Sequence, residues 1–454
     1  MTYLSELSIE HFRGFLAKQT VSFALPNEQP GSGLTILVGP NNVGKSTVIE
    51  ALRHVISPPG LVDRNERHLD NALRISIRDT ATGYREITNP GLSANIAASG
   101  SAHPRTEIFR FIPSRRPWAP RTNTHTIESK QYWIQRTHQT RNEDAHLISR
   151  LNSFPPEEKV AFNQALRRLV PQLLDWKIEY SDGHTYLEYV TINGAAHTAN
   201  LFGEGIASLF RIVLALYDPD ESFVVIDEPE LSLHPQAQKR LAKFISAQAA
   251  HRQIVLCSHS PHFINWADLA AGAAVYRLRQ DRYGIHLHRL SDDTIAMLNK
   301  LVDDWQKPQL LDTVAREVFF ADEALFLEGQ EDVSLLGRFI EVENLPQIQL
   351  FGYGTGGSRN FRSFLSMAAD LHIPSGAIFD RTSKGDYDKI RATFPGVRLE
   401  LLQADDIRDK PATSERRSVE GVFSRAGDMK SEFRDYLIGL LREFRDYFDD
   451  ASRP

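Results

Sequence analysis

Apolar residues recur along this chain at two spacings, which separate the predicted strands from the predicted helices. In chain order, the first half is predicted to contain strands over 3–38, a helix over 46–55, short strands with long loops over 57–125, helices over 143–175 and a hairpin over 176–192. The loops of 57–125 are inferred from their many Pro, Gly, Ser, Asn and Arg residues, which interrupt regular structure.

Strands and helices alternate more regularly in the second half. The predicted elements are a helix over 203–217, a strand over 223–226, a helix over 235–250, a strand over 254–258, a hairpin over 273–290 and helical structure over 291–318. From about residue 323 the strands are 324–328, 347–354, 376–380 and 397–402, the helices are 331–342, 359–371 and 386–394, and a last helix covers 428–449. This alternation predicts a parallel sheet in an α/β fold.

The 454 residues, 41% of them hydrophobic, are enough for two or three domains. We expect a first domain over 1–300, with an insertion over about 60–200, a helical connector over 301–320 and a second domain over 321–454.

The net charge of −6 identifies no partner. A single cysteine, Cys257, excludes an intrachain disulfide and favours a cytoplasmic location. The N-terminus lacks a signal-peptide core, and no run of 18 apolar residues predicts a membrane span.

A complete GxxxxGK[ST] motif runs from Gly39 to Ser46, between an apolar strand and a predicted helix. In that context the glycines turn backbone N–H groups toward phosphates, and the helix N-terminus adds partial positive charge. Lys45 is expected to reach the β- and γ-phosphates and Ser46 to ligate Mg²⁺, whereas a chance match in a glycine-rich loop is the alternative. The residues predicted to bind nucleotide here are Gly39, Asn41, Asn42, Gly44, Lys45, Ser46 and Thr47.

Two acids and a histidine supply the other groups that phosphate chemistry beside such a loop requires, namely a metal ligand, a general base and a phosphate contact. Asp227 and Glu228 end the apolar run 223–226, where the aspartate is placed to hold the metal and Glu228 to act as general base on a water. A helix cap before Pro229 is the alternative. His259 follows the strand 254–258 and is predicted to contact the γ-phosphate, the alternative being a hydrogen-bonded loop histidine.

These segments together resemble the ABC-type ATPases of the SMC/RecF/OLD group. The resemblance rests on IEHFRGF (9–15), VGPNNVGKST with IEAL (38–52), VVIDEPELSLHP (224–235) and SHSPHFI (258–264). It implies an ABC-type P-loop ATPase fold with an inserted helical arm, a D-loop over 231–235 and His259 as switch histidine. It also implies a signature loop over 202–208, containing Gly203 and Gly205, that completes the ATP site of a second copy. Gly203 departs from the usual LSGGQ pattern, in which serine is expected. The implied assembly is a homodimer or a higher even oligomer.

The insertion contains a locally basic stretch. Residues 103–150 carry nine Arg or Lys against four acids, with Trp118, Tyr132 and Trp133 interleaved. Arginines near aromatic rings suit phosphate contact and base stacking. Double-stranded DNA as the partner is what the family resemblance implies. A solvated surface loop with buried anchors is the alternative.

Three acids follow strand ends in the second domain. Glu328 ends one apolar strand, Asp332 lies one helical turn later, and Asp380 ends the strand 376–380. Carboxylates gathered at the carboxyl ends of parallel strands can hold one or two Mg²⁺ or Mn²⁺ ions for phosphodiester cleavage. The pattern resembles the Toprim domain of OLD-family nucleases, a small parallel-sheet α/β domain.

This resemblance has one departure. The Toprim pattern expects Asp-x-Asp, whereas Asp380-Arg381-Thr382 lacks the second acid. The acids considered as replacements or later ligands are Asp386, Asp388, Asp405, Asp406 and Asp409, with Lys410 as a contact for the scissile phosphate. A Toprim scaffold without nuclease activity is the alternative. The segment 352–360, GYGTGGSRN, is interpreted as a glycine-rich connection rather than a phosphate cradle.

Three functional hypotheses follow. The first is an OLD-type ATP-dependent DNA endonuclease, in which ATP hydrolysis at a dimer interface gates a metal-dependent Toprim site, with antiviral defence implied by the resemblance alone. The second is an ATPase sensor or scaffold with an inactive Toprim domain that regulates a separate defence effector protein. The third is a recombination-type DNA clamp without nuclease activity.

Overall fold

The computed structural model describes residues 2–56, 71–89, 95–100, 109–114, 150–181, 184–198, 204–217, 222–302, 314–412 and 417–452. The chain forms two compact units, unit 1 (Met1–Leu287) and unit 2 (His288–Pro454). Most of the basic stretch 103–150, including Trp118, Tyr132 and Trp133, lies outside the described residues, as do Gly203 and the connector residues 303–313.

In unit 1 the strands are spread over the whole length of the sequence, from Leu4 to Arg289. Its strands are β1 (Leu4–Glu10), β2 (Gln19–Ser22), β3 (Leu34–Val38), β4 (Arg74–Asp79), β5 (Tyr84–Thr88), β6 (Ala97–Gly100), β7 (Phe109–Ile112), β8 (Leu173–Ser181), β9 (His184–Thr191), β10 (Ala196–Thr198), β11 (Phe223–Asp227), β12 (Gln253–Cys257), β13 (Ala274–Asp281) and β14 (Gly284–Arg289). Its helices are α1 (Lys45–Ile56), α2 (Pro156–Leu169), α3 (Glu204–Tyr217), α4 (Pro235–Gln248) and α5 (Trp266–Ala271).

The central sheet of unit 1 has the strand order β14-β13-β3-β12-β11-β7. Strands β13, β3, β12, β11 and β7 pair in parallel, so β3, β11 and β12 end at the same edge of the sheet. Every residue of β3 and β12 is buried, as expected for central strands that are covered on both faces. This shared edge is where the loop 39–46, the pair Asp227-Glu228 and His259 follow their strands.

A second, antiparallel sheet lies against α1, with the order β2-β1-β4-β5-β6. One apolar core joins the two sheets and includes Leu7, Phe12, Val48, Leu52 and Val255. Gln253 connects them by polar contacts as well. Its side-chain amide donates to the carbonyls of Leu4 and Ala24 and accepts from the Leu4 N–H.

Within the predicted insertion, the described residues of 150–198 combine α2 with the antiparallel strands β8, β9 and β10, whereas β4 to β7 belong to the two sheets described above. The hairpin predicted over 176–192 is confirmed, whereas the prediction that 173–175 are helical is wrong. Helix α2 ends at Leu169, before Pro171, since proline has no backbone N–H and clashes with the preceding turn. Trp176 on β8 then packs against Phe162 of α2 and donates its indole N–H to Asn163.

Unit 2 is an α/β unit whose three-stranded sheet is parallel, as predicted. Its elements are α6 (Asp292–Val302), β15 (Ala324–Phe326), α7 (Gln330–Val342), α8 (Phe361–Asp370), β16 (Ser375–Phe379), α9 (Lys384–Thr393), β17 (Arg398–Leu401), β18 (Asp406–Arg408), β19 (Gly421–Phe423) and α10 (Ser431–Ser452). The sheet order is β15-β16-β17, and β18 pairs in parallel with β19. The last helix packs its apolar face, including Leu437, Leu441 and Phe444, into the core of the unit.

The strand predicted over 347–354 is wrong. The segment pairs with β15 at a single isolated bridge, between Leu325 and Leu350. It then turns at Gly352 and Gly354, which both have positive φ. A side chain at position 354 would come within 2.7 Å of the Gly329 carbonyl. The glycines therefore serve a close backbone connection, as the interpretation of 352–360 predicts.

Within the described ranges, none of the helices combines the length and the apolar composition that crossing a membrane requires.

Candidate active site

The P-loop has a backbone shape that its glycines and one asparagine make possible. Gly39, Asn42 and Gly44 all have positive φ, at 138°, 64° and 93°. A Cβ on Gly39 would lie 2.6 Å from the carbonyl oxygen of Leu278, and one on Gly44 would lie 2.3 Å from a methyl group of Ile285. Both positions therefore require glycine, for conformation and for space. The loop leads directly into the N-terminus of α1.

Lys45 is the first residue of α1 and is buried. Its Nζ donates to the carbonyl oxygens of Gly39 and Pro40, at 2.9 and 2.7 Å, and so lies across the inside of the loop. Burial lowers the pKa of the Lys45 ammonium, while the nearby Cys257, Glu228, Asp227 and Glu230 act to raise it. A cation held here by loop carbonyls is placed to exchange those contacts for phosphate oxygens.

The two acids lie at the carboxyl end of β11. Asp227 pairs with Cys257 of β12 in the parallel register, which aligns the acid with the end of the neighbouring strand. Glu228 leaves the strand with a φ of 49°, and its N–H donates to the Cys257 carbonyl at 2.8 Å. A non-glycine residue in the left-handed region is uncommon and is often found at functional sites. The oxygens of Ser46 and Asp227 belong to the class that Mg²⁺ prefers.

His259 faces Glu228 across the end of the sheet, with Nε2 3.8 Å from Oε1 of the glutamate. Burial is the main cause that lowers the pKa of His259, and the Lys45 charge lowers it further, whereas Glu228 acts in the opposite direction. The imidazole is therefore neutral near pH 7 and can accept or donate a hydrogen bond, depending on its tautomer.

These groups line one cleft of about 630 Å³, within the size range of small-molecule sites. The cleft brings together eight of the predicted site residues, namely Asn41, Asn42, Gly44, Lys45, Ser46, Thr47, Glu228 and His259. Gly39 shapes the loop beneath it. The positive φ values, the buried lysine and the polar lining fit a bound nucleoside triphosphate.

Three residues that line the cleft were missed by sequence reasoning: Gly14, Gln280 and Ile285. The turn between β13 and β14 reaches the cleft because the Ile285 N–H donates to the Gly14 carbonyl, at 2.9 Å. The motif IEHFRGF includes Gly14 and was the sequence signal available for this contact. Glycine is needed there because a Cβ at position 14 would lie 2.6 Å from the Ile285 side chain. Nothing in the sequence indicated that the hairpin would form this wall.

The described part of the candidate signature segment begins at α3. Gly205 is buried, and a Cβ there would lie 2.4 Å from the backbone oxygen of Ser232 in the D-loop. Gly205 therefore lies beside the D-loop of its own chain and does not line the cleft described above.

In unit 2 the acids that follow β15 and β16 come together. Oε1 of Glu328 accepts the Asp380 N–H at 3.0 Å, which joins the two strand ends. Asp332 on α7 is buried, and its Oδ2 accepts the Gly329 N–H at 2.9 Å.

Burial of these carboxyl groups shifts their titration. It is the main cause that raises the pKa of Asp380 to about 9, with Asp332, Glu328 and Asp406 adding repulsion. Burial likewise raises the pKa of Asp332 to about 7 and the pKa of Glu328 in the same direction. Carboxyl groups that lie so close together that they cannot all ionise are typical of sites where a bound cation balances their charge.

Asp406 is the fourth acid of this cluster, and sequence reasoning considered it only as a later ligand. It is buried and forms an ion pair with Lys410. Asp409 pairs with Lys430 at 2.8 Å and Asp386 accepts from Ser358 at 2.7 Å, while Asp388 is exposed on α9.

At the position of the missing second acid, Thr382 donates its hydroxyl to the Asp405 carbonyl at 3.2 Å, and Arg381 pairs with the Asp405 carboxylate at 2.7 Å. Among the described residues, no group of three or more His, Cys, Asp or Glu side chains is placed to hold a metal ion. The donor set has the right chemistry for Mg²⁺ or Mn²⁺, but as arranged it does not form a coordination site.

Comparisons with known proteins match both units. Residues 6–169 match the family model of an AAA domain, residues 129–265 match an AAA domain described as a putative AbiEii toxin of a type IV toxin–antitoxin system, and residues 319–381 match the TOPRIM domain of proteins like the overcoming lysogenization defect protein.

Two curated relatives carry nuclease names. The OLD nuclease of Thermus scotoductus is 30% identical over 161 residues, or 35% of this chain and 30% of that protein. Endonuclease GajA of Bacillus cereus is 26% identical over 222 residues, or 42% of this chain and 32% of that protein. The matches thus span about a third of the length of each relative.

Among solved structures, the Smc head domain with an extended coiled coil, bound to the C-terminal domain of ScpA derived from Pyrococcus furiosus, is similar over 66% of this chain and 100% of that chain. At a TM-score of 0.44 and 12% identity, this likeness is too distant to carry a conclusion.

Proposed function

Since the chain joins an AAA ATPase domain to an OLD-like Toprim domain and is thus an OLD-family protein, we propose that it hydrolyses ATP and cleaves DNA in response to ATP. The observation that carries the ATPase half is that Lys45, Glu228 and His259 line the same cleft although they come from three separate elements.

The proposed roles follow from the cleft-lining positions of Lys45, Ser46, Glu228 and His259 and from the position of Asp227 at the adjoining end of β11. Lys45 and the P-loop N–H groups bind the phosphates, and Ser46 and Asp227 hold the divalent cation that neutralises phosphate charge. Glu228 orients the attacking water and accepts its proton, while His259 hydrogen-bonds the terminal phosphate as a neutral imidazole.

A second copy is proposed to close over the nucleotide. In support, Leu231 at the start of the D-loop is a large apolar residue that is 40% exposed, and Gly205 at the N-terminal end of α3 lies against Ser232 of the same loop. The D-loop and the described end of the candidate signature segment are therefore neighbours on one surface, which suits a two-fold interface.

The nuclease half rests on the cluster formed by Glu328 and Asp380 at two strand ends, Asp332 on α7 and Asp406 at the start of β18. We propose that these carboxylates would hold Mg²⁺ or Mn²⁺ only after shifting from the arrangement described above, and that Lys410 would contact the scissile phosphate once its pairing with Asp406 is released. Double-stranded DNA is the proposed substrate, and antiviral defence the proposed role.

One experiment tests both halves. Purified protein is incubated with supercoiled plasmid and Mg²⁺ or Mn²⁺, with and without ATP, and ATP turnover is followed in the same tubes. Lys45→Ala should abolish turnover, and Glu328→Ala should abolish cleavage while leaving turnover intact. Lys18→Ala and Glu341→Ala change exposed residues of the same types and should behave as the wild type. A wild-type protein that hydrolyses no ATP contradicts the first half.

A second candidate function is favoured by Thr382. Its hydroxyl is engaged with the Asp405 backbone at the position of the missing acid, and the described carboxylates form no coordination site. On this reading the Toprim unit is inactive and the ATPase regulates a separate effector protein. Intact ATP turnover without cleavage under any metal supports this candidate against the nuclease.

A further inference from the structure

Glu230 is an acid of unit 1 that the proposed ATPase roles leave unused. It follows the catalytic pair by two residues and begins the turn that forms the D-loop. Its Oε1 accepts the His259 backbone N–H at 2.5 Å, and its Oε2 accepts the Ser258 hydroxyl at 3.0 Å. One carboxylate therefore holds both Ser258 and His259, and it contacts the backbone of His259 rather than the imidazole that lines the cleft.

A second set of hydrogen bonds links the switch segment, residues 258–260, to the D-loop through Gln238. The Ser258 hydroxyl oxygen accepts the Ser260 N–H at 3.0 Å, and the Ser260 hydroxyl donates to the Gln238 side chain at 2.7 Å. Gln238 on α4 in turn donates its amide to the Leu233 carbonyl in the D-loop, at 2.9 Å. The Leu233 N–H donates to the Glu230 carbonyl at 3.0 Å and so closes a ring.

The ring connects two segments of different exposure. Ser258 and Ser260 are buried, whereas Leu231 and Ser232 of the D-loop are exposed. Ser232 also has a φ of 59°, which a serine adopts only when its surroundings hold it. A half-buried carboxyl group that accepts two hydrogen bonds fixes the geometry of both donors more firmly than a single contact does.

We propose that Glu230 is a positioning residue for ATP hydrolysis, which together with Gln238 ties the D-loop to His259, so that the placement of the D-loop sets the placement of the switch imidazole. This inference rests on the proposed ATPase function and adds a residue and a coupling to it. When a second copy contacts the D-loop, the ring transmits that contact to the cleft of the same chain. Glu230 itself is not among the residues that line the cleft.

The test separates turnover from binding. In full-length protein, Glu230→Ala should lower kcat by about 10- to 100-fold, the effect of a small displacement of a reacting group. The affinity for ATP, measured by displacement of a fluorescent ATP analogue, should stay unchanged because Lys45 and the P-loop are intact. Glu230→Gln keeps an acceptor for the His259 N–H and should recover most of the turnover. Thermal melts check that both variants fold.

Gln238→Ala breaks the other half of the ring without contacting the cleft. It should also lower kcat at unchanged affinity, and Glu230→Ala with Gln238→Ala should cost less than the product of the single effects, since both act through one ring. Glu157→Gln, an exposed acid on α2, is the matched control.

The outcomes are distinguishable. An inactive wild type contradicts the ATPase itself. An active wild type with normal kcat in Glu230→Ala, or with equal losses in Glu230→Ala and Glu230→Gln, overturns the positioning role. Independent, multiplicative effects of the two alanine variants overturn the coupling.

Discussion

Nε2 of His259 lies 3.8 Å from Oε1 of Glu228, which is too long for a direct hydrogen bond and leaves both groups facing the cleft. Each can therefore bind a different atom of the same reacting group, the imidazole a phosphate oxygen and the carboxylate a water.

Replacing Glu228 by glutamine should separate ATP binding from hydrolysis. The amide keeps the shape of the carboxylate but accepts no proton, so turnover should fall by about 100- to 10,000-fold, the usual contribution of a general base. ATP affinity should be kept, and ATP-dependent dimers should persist in light scattering because the nucleotide is not consumed. Unchanged turnover in Glu228→Gln, beside a normal Glu157→Gln control, would show that another residue is the base.

His259 should give ATP turnover no pH dependence near neutrality. Its pKa lies below the ordinary 6.5, because burial and then the Lys45 charge disfavour the imidazolium, so the neutral form persists as the pH falls toward 6.5. The ratio of kcat between wild type and His259→Gln should be constant from about pH 6.5 to about pH 8.5. A ratio that changes about tenfold around pH 7 would mean that protonated His259 is the active form.

The nucleotide site could be largely predicted because its residues are contiguous and chemically specific. The loop from Gly39 to Ser46 and the pair Asp227-Glu228 follow apolar strands, and parallel pairing brings the ends of β3, β11 and β12 to one edge. Long-range contacts were not predictable in this way. The pairing of β7 with β11 joins residues far apart in sequence, and for 57–125, which contains β7, the sequence predicted short strands without giving their bounds or partners.

The side-chain hydrogen bonds could not be predicted from the sequence either. Glu230 is one of several acids in a charged segment, and only the fold shows that its carboxylate reaches the His259 backbone. In unit 2 the alternation of strands and helices predicted the parallel sheet, but Gly352 and Gly354 replaced one expected strand by a turning connection. The engagement of Thr382 with the Asp405 backbone also depends on how two loops meet.

Gln253 should be a strong determinant of the stability of unit 1. It is 2% exposed and satisfies three backbone groups, the N–H and carbonyl of Leu4 and the carbonyl of Ala24. Gln253→Leu keeps the volume but leaves those groups buried and unpaired, which should cost about 2–4 kcal/mol of the free energy of unfolding. A thermal melt of the full chain should show unit 1 unfolding several degrees earlier, whereas Gln29→Leu on the surface should not. An unshifted transition would mean that water replaces the lost amide.

Asp380→Asn should stabilise the metal-free protein, and more so as the pH rises. In the folded state the pKa of Asp380 is about 9, because burial and then the repulsion of Asp332, Glu328 and Asp406 disfavour its charge. The unfolded chain loses that proton near pH 4, so the folded wild type holds more protons between about pH 4 and 9 and loses stability as the pH rises through that window. Asparagine mimics the protonated form and removes this loss.

The measurement is the melting temperature in EDTA at several pH values across that window. The difference between Asp380→Asn and the wild type should be small at pH 5 and grow toward pH 9, while Asp388→Asn, which changes an exposed acid of α9, should give the same difference at every pH. Added Mn²⁺ should raise the melting temperature of the wild type and not that of Asp380→Asn, if this carboxylate is a ligand. A difference that does not vary with pH would mean that Asp380 is already ionised in the folded protein.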